Sequence, residues 1–250
     1  MSGGLLGPHD PPTVSLINPS AASVFLLLGD HAGQAIPSSL GDLGLTAADQ
    51  DRHIAWDIGV RALGEALSEA LDATFIVQTW SRLVIDCNRD PAAADAIPVV
   101  SDGTLIPGNV DLGEIDRRRR IDEVHEPYHR AIADVLTERA GRNQPTILVS
   151  LHSFTPVMNA FVRPWEIGVL HDRGEAGFAQ AMLTALRAEL DLVVGDNEPY
   201  RMDTVDHTVP RHAYPAALPY VELEIRQDLI HQPRWIDILK TALNTSSGRT

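Results

Sequence analysis

The chain has 250 residues, 44% of them hydrophobic, and a formal net charge of −14. That length and apolar content suit one α/β core, and the acidic balance argues against nucleic acid and anionic membranes, which both demand a basic footprint. A single cysteine, Cys87, leaves no intrachain disulfide, and the longest apolar run, residues 24–28, is far too short to span a bilayer.

Residues 1–20 are rich in Pro, Gly and Ser and predict an irregular arm ahead of one domain, 21–250. Their opening lacks a basic n-region followed by an apolar stretch, so no secretory leader is expected and the protein reads as cytoplasmic. "SVFLLLGD" predicts a buried strand. Residues 48–71 place Ile54, Ile58, Ala62, Leu63, Ala66 and Leu67 at helical spacing and predict an amphipathic helix. "TFIVQTW" is a second strand, and "SRLVIDCNRDP" leads into an irregular stretch. Residues 114–141 predict one long helix with an internal Pro127, closed by Gly141. Its arginines, Arg117 to Arg120, have acidic neighbours at helical spacing and read as a solvated face. "TILVSLH" and "WEIGVLHD" are strands, "GEAGFAQAMLTALRAEL" is a helix, "LVVGDN" and "LPYVELEI" are strands, and residues 235–243 close the chain as a helix. Alternating strands and helices predict an α/β fold: a mixed, mostly parallel central sheet with helices on both faces. Ligands bind such sheets at the carboxyl ends of the strands.

Those ends carry polar residues. In "VELEIRQD", Glu222, Glu224 and Arg226 alternate with apolar residues and share one face, which is costly to bury without partners. His31 follows the first strand and His152 ends the third. Two imidazoles and a carboxylate make three protein ligands for zinc, with a position left for water. Each histidine taken singly is equally an ordinary hydrogen-bonding group. Their spacing matches no recognised zinc pattern, and no His-Glu-x-x-His is read in the chain. Arg82, Asn88 and Arg89 surround the end of the second strand, and an arginine with an adjacent amide can grip a carboxylate. Asp86 and Arg89 pairing with each other is the plainer alternative. "NEPYRMDTVDHTVPRHA" reads as a loop over the site, from which Tyr200, Arg201, His207 or His212 can reach a substrate.

The motifs "DHAG…IP", "SRLVIDCNRD", "LHSFTP", "NEPY" and "LEIRQDLI", in that order over His31 to Ile230, together resemble the N-formylglutamate amidohydrolase family. That family is similar in fold and site plan to zinc carboxypeptidases and aspartoacylase. The resemblance implies one zinc ion per chain, with His31 and His152 as ligands. It implies Arg82 as the group polarising the carbonyl and Asn88 with Arg89 as the grip on a substrate carboxylate. It also picks Glu224, rather than Glu222, as the general base. The implied activity is hydrolysis of N-formyl-L-glutamate to formate and L-glutamate, in histidine degradation, on a small anionic N-acyl amino acid. Another N-acyl amino acid deacylase, a carboxypeptidase-like peptidase and a non-catalytic carboxylate-binding relative remain alternatives. One departure matters. The carboxypeptidase motif is His-x-x-Glu with both residues on zinc, and here it is "HAGQ", ending in Gln34. The missing carboxylate is expected from Asp57, in "HIAWDIG", with Asp30 as the other candidate or as an orienting partner of a histidine.

Overall fold

The structure is a computed structural model and describes residues 4–248. Short aliphatic and β-branched runs form the strands, and stretches with helical apolar spacing form the helices between them. In chain order the elements are β1 (Val14–Ile17), β2 (Phe25–Gly29), α1 (Ala47–Gln50), α2 (Val60–Leu71), β3 (Thr74–Gln78) and a ribbon of β4 (Val100–Ser101) and β5 (Thr104–Leu105). Next come α3 (Glu114–Arg120), α4 (Glu126–Gly141), β6 (Ile147–Phe154) and a ribbon of β7 (Val157–Met158) and β8 (Phe161–Val162). The chain ends with β9 (Ile167–Leu170), α5 (Gly177–Arg187), β10 (Val194–Asp196), α6 (Thr208–His212), β11 (Tyr220–Arg226) and α7 (Arg234–Ser246).

Seven strands make one sheet in the order β1-β3-β2-β6-β11-β9-β10. The central strands β3, β2, β6 and β11 run parallel, β1 is an antiparallel edge, and β9 is antiparallel to β11. This is the mixed, mostly parallel α/β sheet expected from the alternation of elements. Helices α2, α5 and α7 pack on one face through Leu63, Leu67, Met182, Trp235 and Leu239. Helix α4 covers the other through Tyr128 and Ile132. Strand alternation then decides which side chains meet which helices. Val149 and Leu151 of β6, and Val221, Leu223 and Ile225 of β11, join the α2–α5–α7 side. Leu148 and Tyr220 join the α4 side, and so do Ser150, His152, Glu222 and Glu224 by the same pleat. In the β6–β11 register Glu224 stands opposite His152. Among the described residues no helix is long and apolar enough to cross a membrane.

Three expectations are corrected. The arm is not irregular throughout: Val14–Ile17 pairs antiparallel with β3, because its extended backbone satisfies the open edge of that strand. Residues 1–3 of the arm, and 249–250 of the domain, lie outside the described residues. The helix expected over 48–71 is broken into α1, a run of turns and α2. The break is at Gly59, whose φ of 87° is left-handed and whose missing Cβ would meet Ile230 Cγ2 at 2.2 Å. Asp57 therefore sits in the turn before α2, with its backbone N–H donated to the His31 carbonyl at 2.8 Å.

The arginine run is a solvated face only in part: Arg118 and Arg119 pair with Asp122 at 3.3 Å and Asp116 at 2.9 Å, as expected. The helix over 114–141 does run through, by way of a wide π-turn at Ile121–His125, and Arg120 points inward, fully buried. It donates to the Val84 carbonyl at 2.9 Å, Asn109 Oδ1 at 2.6 Å and the Gly108 carbonyl at 3.1 Å. Burial lowers its pKa to about 10, so it remains charged. Arg117 donates to the Pro91 and Ala93 carbonyls. Together these two arginines anchor the loop region that follows β3. Replacing Arg120 with Met would leave those buried acceptors unpaired, and we expect a loss of about 3 kcal/mol in urea unfolding, with the m-value unchanged.

Candidate functional site

Beyond the carboxyl ends of β2, β3, β6 and β11 lies a cleft of about 760 Å³. Most of the residues singled out from the sequence line it: His31, Asp57, His152, Glu224, Arg82, Asn88, Arg89, Tyr200 and Arg201; Asp30, His207 and His212 do not.

At its floor three side chains converge. Asp57 Oδ2 lies 3.0 Å from His152 Nδ1 and 3.6 Å from His31 Nδ1, and donor atoms of the three residues fall within 4.8 Å of one another. All three are buried. The outer nitrogens are held from behind. His31 Nε2 bonds Asp86 Oδ1 at 2.7 Å, and His152 Nε2 meets Ser150 Oγ at 3.1 Å with Asp30 Oδ2 at 3.5 Å. Asp30 is in turn fixed by the Tyr128 hydroxyl at 2.5 Å. Ligating imidazoles are oriented in this way, one nitrogen inward and the other on a carboxylate or hydroxyl. Gln34 is exposed and outside the cleft, so Asp57 is the carboxylate between the two rings and Asp30 stands behind one of them.

Arg82 leans over this floor. Its Nη2 donates to Asp57 Oδ1 and to the His53 carbonyl at 2.6 Å, and its Nη1 lies 3.4 Å from His31 Nδ1. Burial alone would raise the Asp57 carboxyl, but the Arg82 guanidinium and the bonds from His152 and His31 hold it well below the usual range. Burial opposes charge on the histidines as well, yet Asp30 and Asp57 push His152 well above its ordinary value, and Asp86 pushes His31 up. The buried carboxylates thus draw positive charge onto both rings, and a dication held among them would answer the same need.

Glu224 faces this floor from β11. Burial pushes its carboxyl up to about 8, and its Oε2 has no hydrogen-bond partner. Glu222 is likewise buried, raised well above the usual range by burial and by Asp206. Arg226, the third polar residue of that strand, turns away to Asp228 at 2.9 Å.

On the far wall Asn88 is half committed. Its Oδ1 accepts from the backbone N–H groups of His207 at 3.0 Å and Thr208 at 2.9 Å, and its Nδ2 donates to Asp206 at 3.2 Å. Arg89 pairs with the exposed Asp95 at 3.3 Å rather than with Asp86, which is taken by His31. Tyr200 accepts from Arg163 Nη1 at 3.1 Å, the guanidinium lying 4.8 Å from its ring centre. Arg201 is exposed at the rim. The segment read as a loop contains the single helical turn α6.

Sequence reasoning missed Asp86 and His53. Asp86 had a usable signal, an acid two residues before Asn88 in the same motif. His53, kept near 3 by burial and Arg82, had its four-residue spacing from Asp57. The expectation of no His-Glu-x-x-His was wrong: residues 125–129 read His-Glu-Pro-Tyr-His.

The crystal structure of a gene product from Agrobacterium tumefaciens is similar over 98% of each chain, with 37% identity and a TM-score of 0.94. That of N-formylglutamate amidohydrolase from Ralstonia eutropha JMP134 shares the fold over 95% of this chain and 96% of its own, with 21% identity and a TM-score of 0.63. Among curated proteins no match was found. The family model for N-formylglutamate amidohydrolase matches residues 23–231, which include the whole floor of the cleft, and the chain belongs to that family of hydrolases acting on amide bonds.

Proposed function

We propose that the protein is a zinc-dependent amidohydrolase that cleaves the amide bond of an N-acylated amino acid, with N-formyl-L-glutamate yielding formate and L-glutamate. The observation that carries this reading is the convergence of His31 Nδ1, Asp57 Oδ2 and His152 Nδ1 beside an unpartnered Glu224 Oε2 in one cleft. Two imidazoles and a carboxylate, each imidazole braced from behind, are a donor set that fits catalytic zinc. Zinc when bound supplies Lewis acidity, enough to bring the pKa of water to about 7. The non-catalytic alternative rested on Gln34, which lies outside the cleft.

The chain's own groups do the rest. Glu224 takes a proton from the attacking water as its oxygen adds to the acyl carbon. It then delivers that proton to the amine nitrogen as the carbon–nitrogen bond breaks. Its burial suits both halves of that task, since a carboxyl near neutrality can accept and return a proton. Arg82 faces the oxygen on which negative charge develops. Arg89 and the Asn88 amide hold the α-carboxylate of the substrate, and Tyr200 and Arg201 close the outer wall. The reading carries with it a cytoplasmic role in histidine degradation. A second reading is favoured by the volume of the cleft and by the carboxyls of buried Glu222 and half-buried Asp206 on its wall. These suit an N-acyl amino acid that is larger and less acidic than formylglutamate.

Metal analysis by plasma mass spectrometry, run beside a formate-release assay, tests this directly. The zinc ion of the cleft and the activity should disappear together in His152→Ala and in Asp57→Ala; a fully active metal-free protein would sink the proposal. Glu224→Gln should keep its zinc and its KM while kcat falls about 10²–10⁴-fold. A panel of N-formyl and N-acetyl amino acids separates the two substrate readings by kcat/KM.

The protonation of the site predicts a pH dependence of stability. Between about 4.5 and about 8 the folded protein keeps a proton on Glu224 that the unfolded chain has released. His152 acts in the same sense above its ordinary value of 6.5. Chelator-treated protein should therefore lose stability as pH rises through that window, and Glu224→Gln should flatten the slope of Tm against pH.

A further inference from the structure

Behind the loop that carries Asn88 and Arg89, two histidines of the His-Glu-Pro-Tyr-His run meet His207 from the segment before α6. Spacing of four residues on a helix puts His125 and His129 on one face, with ring centres 4.5 Å apart. The His207 ring centre lies 5.5 Å from His125 and 5.1 Å from His129. Ligand atoms of the three fall within 4.8 Å of one another.

Hydrogen bonds fix how these rings point. His125 Nε2 donates to the Arg89 carbonyl at 3.0 Å, and His129 Nε2 donates to the Cys87 carbonyl at 2.9 Å. A carbonyl can only accept, so each neutral ring keeps its lone pair on Nδ1. His125 Nδ1 has no hydrogen-bond partner although the residue is 0% exposed, and Glu126 Oε1 stands 3.4 Å from it. His129 Nδ1 accepts from His212 Nε2 at 2.9 Å, and His207 Nε2 faces Arg211 Nη1 at 3.4 Å. Burial holds all of these rings below the ordinary histidine range, which leaves them neutral, the form that binds metal.

We propose that His125, His129 and His207 form a second, structural zinc site that pins the segment before α6 to the start of α4. The outer nitrogens of His125 and His129 rest on backbone carbonyls, as those of ligating histidines do. An ion takes the place of the His212 and Arg211 contacts. Arg211 keeps its pair with Glu126, at 3.0 and 3.1 Å, which neutralises its charge beside the ion. Half-buried His207 is the side of entry. The site bears on the cleft, because the His207 N–H is one of the two that hold Asn88 Oδ1. It stands independently of the catalytic reading, since none of its ligands lines the cleft.

The test counts metal in the full chain, stripped with chelator, reloaded with zinc and desalted. The wild type should hold about two zinc ions and His31→Ala/His152→Ala about one. His207→Gln should lose the ion that this variant keeps, together with the rise in Tm that zinc produces in it. Because His207 is partly exposed, His207→Gln is the variant least exposed to misfolding, and a cooperative melt without zinc verifies that it folds. A wild type with a single zinc that vanishes in His31→Ala/His152→Ala would overturn the proposal. So would a second zinc that persists in His125→Gln/His207→Gln.

Discussion

A carboxylate removed from water holds the centre of this protein. Asp57 is 1% exposed, and its two oxygens are shared among Arg82, His152, His31 and the Ser153 backbone N–H. A buried charge of this kind is tolerable only when its partners are complete, because desolvation is costly and an unpaired carboxylate would take up a proton instead. The partners come from three parts of the fold: His152 and Ser153 from the end of β6, His31 from the loop after β2 and Arg82 from the loop after β3. The turn that presents Asp57 depends on Gly59 and on a backbone bond to His31. The fold is thus organised to bring those loops to one point.

The loop that follows β3 shows how closely the surroundings are specified. Asp86 holds His31, the Cys87 carbonyl holds His129, Asn88 caps the backbone before α6, and the Arg89 carbonyl holds His125. Four successive residues are each tied to a different neighbour, so the loop is rigid without regular secondary structure. Rigid placement of polar groups is what electrostatic catalysis needs, since groups already aimed at the developing charge do not have to reorganise. Arg120 and Arg117 brace the same region from below by taking up its carbonyls. The burial of Arg120 is a structural use of charge that a surface arginine could not perform.

Much of this was legible in the chain. The alternation of aliphatic runs and amphipathic stretches determined an α/β sheet, because strand and helix periods differ and each must bury one face. Polar residues at the ends of those runs marked His31, His152 and Glu224, since the carboxyl ends of parallel strands are where such sheets open. Period-two spacing put Glu222 and Glu224 on one side of β11. What only the tertiary structure decided were relations between segments far apart in sequence. Asp57 rather than Asp30 stands between the imidazoles, because a left-handed glycine breaks the helix that periodicity predicted and turns Asp57 inward. Arg226 leaves the cleft for a local aspartate, Asp86 goes to His31 instead of Arg89, and Arg120 turns inward. Val14–Ile17 becomes a strand because β3 offers an open edge. Periodicity reports which face is apolar; it carries no information about which distant polar group will be waiting there, and a buried charge takes its role from that partner.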